Sequence, residues 1–263
     1  MQYVPPLIEV RLLRRYKRFL VDIYCSHDLA GSEEINSSEL MFSIPEGHKA
    51  YTVHCANPGR MQGLINEGQR AWIYDSQNPK RKLRYSLELI ETEAGELVCI
   101  NTARANGLVG EVLGTALFPL VKSMKYKAEV PWKSGKFGSR FDFAFWSETQ
   151  TFNERPLGYL EVKSVTYALD QNKGWLAFPD AVTSRGLKHL EALIEVVNQG
   201  YRAILCFCTN HNAGQTVTIA EHIDPQYAQG LRRAIRAGVE VYALKAHADP
   251  HTNQIVGLIP FIF

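Results

Sequence analysis

The run Glu161-Val162-Lys163 places a carboxylate and an ammonium two residues apart. Residues 157–165 read as a strand, on which positions two apart point the same way, so Glu161 and Lys163 share one face and Leu160 and Val162 the other. A solvent-exposed ion pair would explain that much. Asp142, between Phe141 and Phe143 on a second alternating run, changes the weighting. An ionised Asp in such company is costly unless it is paired or bound to a metal. Two carboxylates from neighbouring strands form a hard, oxygen-rich set that suits Mg²⁺ or Mn²⁺, held by one or two carboxylates with water and substrate phosphate. A lysine beside them can position or deprotonate a water and stabilise growing charge. Together these groups are what hydrolysis of a phosphodiester requires.

The elements that must hold these residues read as α/β. A helix is expected over 102–120, with Leu108, Val112 and Leu113 at helical spacing and Glu111 beside them. Strands follow at 125–132, 140–146 and 157–165. In the first, Tyr126, Ala128, Val130 and Trp132 oppose Lys127 and Glu129. In the second, Phe141, Phe143 and Phe145 oppose Arg140, Asp142 and Ala144. A helix with the stripe Leu187, Leu190, Ile194 and Val197 stops at Gly200. A strand at 202–208, a helix opened by Asp224-Pro225 and closed at Gly238, and a strand at 239–244 complete the pattern. The first part is all-β instead. Strands at 7–21, 51–55 and 70–74 are separated by Asn57-Pro58-Gly59 and Asn66-Glu67-Gly68, which fits a small barrel or sandwich. Residues 26–49 read as a hairpin tip or a mobile loop. The basic stretch Lys80, Arg81, Lys82, Arg84 precedes a boundary near residue 86, giving domains 1–86 and 87–263.

A net charge of +2 argues only weakly for an anionic partner, so the case for nucleic acid rests on where basic residues cluster. Arg14, Arg15, Lys17 and Arg18 interleave with Tyr16 and Phe19, which suits phosphate tracking with base stacking; an edge strand guarded by charge is the alternative. Arg185 and His189, four apart, share a helix face able to reach phosphate or simply solvated, with a cap at Asp180 or Thr183. Lys80–Arg84 divides evenly between binding and a solvated linker. His54 and Cys55 are adjacent, would point to opposite strand faces, and make no Cys–His nucleophile. The 5 cysteines fit no disulfide framework and include no CxxC pair; Cys206 and Cys208 read as core residues. With no signal-like N-terminus and no bilayer-length apolar run, a cytoplasmic location is expected.

Helix, three strands, helix, strand, with Asp142 on the second strand and Glu161-x-Lys163 on the third, resembles the PD-(D/E)XK nucleases. The resemblance implies that Asp142 and Glu161 are metal ligands and Lys163 the catalytic lysine. Glu111 would be the additional acidic residue of the first helix, with Glu129 its rival. Phe141 stands where the motif's proline would be. Longer segments resemble the sugar fermentation stimulation protein A family nearly end to end: Arg15-Tyr16-Lys17-Arg18-Phe19, His54-Cys55-Ala56-Asn57-Pro58-Gly59-Arg60-Met61, Ser139-Arg140-Phe141-Asp142-Phe143, Glu161-Val162-Lys163-Ser164-Val165, and the run from Phe178-Pro179-Asp180 to Leu187-Lys188-His189-Leu190. That family implies an N-terminal OB-fold-like β-barrel, a PD-(D/E)XK nuclease-like α/β domain with a mixed sheet, and DNA binding. Asn57, Arg60 and Arg140 in these segments join Arg14, Arg15, Lys17, Arg18, Arg185 and His189 as candidate nucleic-acid contacts. Residues 26–49 look longer than the family's usual loop. Three functions stay open: a Mg²⁺- or Mn²⁺-dependent nuclease on DNA, RNA or both; a DNA-binding transcriptional regulator of sugar metabolism with an inactive nuclease fold; and a carbohydrate enzyme. The last is weakest, because no glycosidase carboxylate pair stands out. The expected partners are DNA and possibly RNA, without a membrane, as a monomer or homodimer.

Overall fold

The computed structural model describes the chain except residues 37, 39, 41, 120, 121, 136, 171 and 172. Two compact units result: Met1–Arg104 with Asn210–Ala213 and His247–Gln254, and Ala105–Thr209 with Gly214–Ala246 and Ile255–Phe263.

The first unit contains β1 (Ile8–Tyr16), β2 (Leu20–Cys25), β3 (Lys49–Cys55), β4 (Arg70–Asp75), β5 (Tyr85–Glu91) and β6 (Leu97–Cys99). Their order is β3-β2-β1-β4-β5-β6, and a parallel β3–β5 pairing at His54↔Ser86 and Cys55↔Leu87 closes β1 to β5 into an OB-like barrel. Alternate positions such as Val10, Leu12, Val21, Ile23, Val53, Ile73 and Leu87 fill its core. Residues 7–21 are therefore a hairpin and not one strand. Lys17 and Arg18 adopt left-handed φ of 46° and 64° in the turn, a conformation that Gly, Asn or Asp would have advertised.

The boundary expected at residue 86 falls inside β5, and the first unit runs on to Arg104. The basic stretch before it is a β4–β5 turn, not a linker: Arg84 donates from Nε and an Nη to the two oxygens of Asp75, each at 2.7 Å. Between β2 and β3, Glu34 bridges to Tyr51 and the Ile35 amide donates to Ala50, so that part of the 26–49 segment is pinned to the barrel. Residues 37, 39 and 41 lie outside the described residues.

The second unit comprises α1 (Arg104–Val112, its first residue belonging to the first unit), β7 (Met124–Ser134), β8 (Phe137–Ser147), β9 (Gly158–Val165), β10 (Tyr167–Asp170), β11 (Trp175–Phe178), α2 (Ser184–Asn198), β12 (Arg202–Thr209), β13 (Thr216–Ile219), α3 (Pro225–Ala237), and most of β14 (Glu240–Ala248) and β15 (Asn253–Ile259), whose facing ends at His247–Ala248 and Asn253–Gln254 belong to the first unit. The main sheet has order β15-β14-β12-β9-β8-β7. In it β9, β12 and β14 run parallel, and β7 and β8 antiparallel, a mixed sheet. A second, smaller sheet has order β10-β11-β13, and its Leu176, Val217 and Ile219 enter the same core. The first helix ends at Val112, short of the expected 120, and Gly114 follows with φ 78°.

Thr183 caps α2 by accepting from the Gly186 amide at 3.0 Å, and Leu190, Leu193 and Val196 sink into the core. Asp224 caps α3 by accepting from the Tyr227 amide at 2.9 Å, and Gly238 ends that helix with φ 105°. Tyr227, Leu231 and Ala234 meet that α2 face over Leu205 and Phe207 of β12.

Gly158 starts β9 where a Cβ would lie 2.5 Å from the Arg202 carbonyl oxygen and 2.4 Å from the Phe145 ring. One of these contacts is backbone, so the strands must shift. Gly158→Ala is expected to lower stability by about 1–3 kcal/mol. A chemical-denaturation midpoint equal to that of the unsubstituted protein would contradict this close approach.

Candidate active site

The β8–β9 ladder pairs Phe145 with Gly158, Ala144 with Tyr159 and Phe143 with Leu160, and ends there. One residue further on each strand stand Asp142 and Glu161. In the fork, the Val162 amide donates to Asp142 Oδ2 at 2.6 Å instead of to β8 backbone. Asp142 Oδ1 accepts from Asn106 Nδ2 of α1, also at 2.6 Å.

The expected sharing of one face by Phe141, Phe143 and Phe145 does not hold. Phe141 packs with Trp132, Ala144, Trp146 and Tyr159 in the core that contains the buried face of α2. Phe143 and Phe145 gather instead with Leu113, Met124, Tyr126 and Leu160 in an apolar cluster. The alternation breaks at Asp142. Across from it on β7, between the pairs Ala128↔Phe143 and Val130↔Phe141, Glu129 has φ 55°. A left-handed residue disturbs the pleat there, and the break aims Asp142 into the fork rather than at either sheet face.

Glu161 is only 2% exposed. Its Oε1 accepts from Lys163 Nζ at 2.5 Å and contacts His189 Nδ1 of α2. Its Oε2 is buried without a hydrogen-bond partner. Burial pushes the Glu161 carboxyl up, but the His189 contact and the Lys163 charge outweigh it and hold the group below the ordinary range. Asp142 goes the other way, pushed up to about 6 by burial and then by the Glu161 charge, against the Val162 amide, Lys163 and Asn106. Burial and the charges around them drive the two neighbouring carboxylates in opposite directions, the separation that an acid–base or metal site uses.

The Asp142 shift has a consequence for stability. Between its ordinary value of 3.8 and about 6 the folded protein holds a proton that the unfolded chain releases. Asp142 therefore weakens the metal-free fold most above pH 6, and the cost fades as pH falls toward 4. Asp142→Asn sheds the buried charge but leaves one of the two donors, Asn106 or the Val162 amide, without an acceptor, so its metal-free stability relative to wild type is expected to be better at pH 7.5 than near pH 4 by on the order of 1–3 kcal/mol. Thermal unfolding in EDTA at pH 4.5 and 7.5 checks this; an equal difference from wild type at both would contradict it.

Among the described residues no three His, Cys, Asp or Glu side chains gather to enclose a metal, so a closed structural site is not formed. Two carboxylates at a strand fork, with the buried Glu161 Oε2 unpartnered, fit a hard cation that keeps waters and takes substrate oxygens.

The other candidate residues separate. Glu111 is exposed and about 140° around α1 from Asn106 at 3.6 residues per turn, so the α1 side chain that reaches Asp142 is Asn106. Glu129 is exposed and pairs with Arg140 at 3.9 Å. Arg185 is exposed and donates from Nε to His189 Nε2 at 3.4 Å, while His189 Nδ1 contacts Glu161, so His189 belongs to the acidic cluster and not to a solvated face.

On the barrel, Arg14 ion-pairs with the buried Asp22 at 2.8 Å. Arg15 spends its guanidinium on the carbonyls of Arg18, Asn57, Gly59 and Arg60. Asn57 is buried, donating to the Ile100 carbonyl at 2.9 Å and accepting from the Gly59 amide. Arg15 and Asn57 thus build the 57–60 loop, while Lys17, Arg18 and Arg60 are exposed. Two residues went unread in the sequence. Asn106 is a polar position among the buried Ala105, Leu108 and Val109. Tyr227 has a buried hydroxyl without a hydrogen-bond partner, raised by burial and by the Glu161 charge.

Fold and site together define an OB-type barrel followed by a mixed-sheet α/β unit with a paired-carboxylate fork. Residues 103–252 match the family described as "Sugar fermentation stimulation protein RE domain", and residues 13–100 match "SfsA N-terminal OB domain". The chain belongs to the sugar fermentation stimulation protein family. It is 44% identical to the sugar fermentation stimulation protein homolog of Ectopseudomonas mendocina (strain ymp), over 97% of each chain. It is 42% identical to the homolog of Pseudoalteromonas translucida (strain TAC 125), over 100% of each. The solved structure of Pyrococcus furiosus SfsA in complex with Ca²⁺ shares the fold, with a TM-score of 0.76 at 22% identity over 100% of both chains. No helix among the described residues is long and apolar enough to cross a membrane.

Proposed function

We propose that this chain binds nucleic acid and hydrolyses phosphodiester bonds in DNA, RNA or both, with Mg²⁺ or Mn²⁺ held by Asp142 and Glu161. The observation that carries this reading is the fork itself: β8 and β9 part at two carboxylates, one of which keeps a buried, unpartnered oxygen. Lys163, on the same strand as Glu161, holds a proton-donating ammonium beside them. When bound, the cation supplies positive charge to the scissile phosphate and to an attacking water. Lys163 orients that water and stabilises charge that grows as the bond breaks. Asn106 and the Val162 amide hold Asp142 in place. The Ca²⁺ in the Pyrococcus furiosus structure is a hard divalent cation of the kind this donor set suits. On the barrel, exposed Lys17 and Arg18 directly precede Phe19, which is 43% exposed, a pattern suited to phosphate contact and base stacking.

Labelled single- and double-stranded DNA and RNA, incubated with Mg²⁺, Mn²⁺ or EDTA, test the proposal. Cleavage of at least one substrate in metal and none in EDTA is expected. Binding without cleavage in either metal would instead favour a DNA-binding regulator with an inactive nuclease fold.

A further inference from the structure

His189 sits on α2 next to Leu190, which is locked into the core, so its ring is carried on a rigid face. Both ring nitrogens have neighbours. Arg185 Nε, one helical turn earlier, points at His189 Nε2 at 3.4 Å. A guanidinium has donors and no acceptor, so Nε2 must carry the lone pair. The neutral ring then has its proton on Nδ1, and that proton is directed at Glu161 Oε1. Lys163 Nζ lies 3.3 Å from the same Nδ1. Two donors do not bond to each other, so the ammonium is committed to Glu161 Oε1, at 2.5 Å. Both directed protons therefore fall on Oε1, and Oε2 receives none.

We infer that His189, fixed as the Nδ1–H tautomer by Arg185, is a positioning residue that turns Glu161 so that Oε2 is the oxygen offered to a cation. This rests on the reading of Asp142 and Glu161 as cation ligands. It departs from the expectation that Arg185 and His189 act directly on nucleic acid. A hydrogen-bonding partner behind a metal-binding carboxylate fixes its orientation, and removing such a partner commonly weakens metal binding by about 10–100-fold. The amide nitrogen of asparagine sits where histidine Nδ1 does, and that of glutamine where Nε2 does. The two substitutions therefore separate the role of the ring nitrogen from that of mere bulk.

The experiment has two arms on the full chain. Long-range proton–nitrogen NMR of the metal-free protein reads the tautomer, and calorimetric titration with Mn²⁺ reads the affinity. The expected results are an Nδ1–H tautomer in the wild type that Arg185→Ala relaxes, a 10–100-fold loss of Mn²⁺ affinity in His189→Ala and His189→Gln, and near wild-type affinity in His189→Asn. An Nε2–H tautomer overturns the inference whatever the metal does. Equal affinity in wild type, His189→Ala and His189→Gln overturns it while leaving the cation site standing. A wild type that takes up no Mn²⁺ overturns the cation reading and, with it, the positioning role, even where the tautomer is as expected.

Discussion

Replacing Lys163 with methionine is expected to slow single-turnover cleavage by at least ~100-fold while nucleic-acid affinity changes little, the usual scale for losing one group that acts mainly in the transition state. Methionine keeps most of the stem's bulk in a position that is only 15% exposed, so packing should survive. What is lost is the ammonium that lies 2.5 Å from Glu161 Oε1. Loss of rate with retained binding is the signature of an interaction realised in the transition state and not in the ground state. Equal cleavage by wild type and Lys163→Met on matched preparations would mean that the activity belongs to another protein or that the site lies elsewhere.

The second large effect concerns stability of the first unit. Glu88 of β5 is completely buried, and its carboxylate accepts from Arg104 Nε at 2.6 Å, from an Arg104 Nη at 3.2 Å and from Asn101 Nδ2 at 2.8 Å. The guanidinium is itself held 4.9 Å from the centre of the Tyr74 ring. Taking the cation away leaves a charge in the barrel wall with only the Asn101 amide and the Cys99 thiol as partners. Arg104→Met is expected to cost about 3–5 kcal/mol, because an uncompensated buried charge is far more damaging than the pair is beneficial. Adding Glu88→Gln to Arg104→Met should recover much of that loss, since the remaining polar group is neutral. Urea unfolding of the single and double variants measures both. A single variant within 1 kcal/mol of wild type, or a double variant no better than the single, would show that the pair is not what holds this region.

Much of the α/β unit could be read from pattern. Strands at β8, β9 and β12 announce themselves by alternation or continuous apolar runs, and Asp224-Pro225 and Gly238 bound α3 as their chemistry dictates. The adjacency of Asp142 and Glu161 followed from neighbouring strands. What pattern could not deliver was the local break. Alternation carried through 140–146 put three phenylalanines together, whereas the left-handed Glu129 opposite Asp142 divides them between two layers. Nothing in a glutamate's type signals positive φ.

The Lys17-Arg18 turn escaped for the same reason. Barrel closure by β3 and β5 is a long-range pairing that no local window contains, so the basic stretch before β5 reads locally as the edge of a domain, with binding and a solvated linker equally open. The return of Asn210–Ala213 and His247–Gln254 to the first unit is equally nonlocal. In the site, the acidic residue sought on α1 was Glu111, but helical phase puts Asn106 at the carboxylate. Arg15 shows the opposite limit: a basic residue among aromatics looks like a phosphate ligand until its donors are seen to be spent on four carbonyls.

The most direct test of the account is a calorimetric titration of Mn²⁺ into wild type and into the Asp142→Ala, Glu161→Ala double variant, each with and without an uncleavable phosphorothioate oligonucleotide. Asp142 and Glu161 leave most of a cation's shell to water and phosphate, so the wild type should bind weakly alone and more tightly with the oligonucleotide. The double variant should bind measurably less in both conditions. Identical Mn²⁺ uptake by the two proteins, with or without nucleic acid, would contradict a metal-dependent phosphodiester site at the β8–β9 fork.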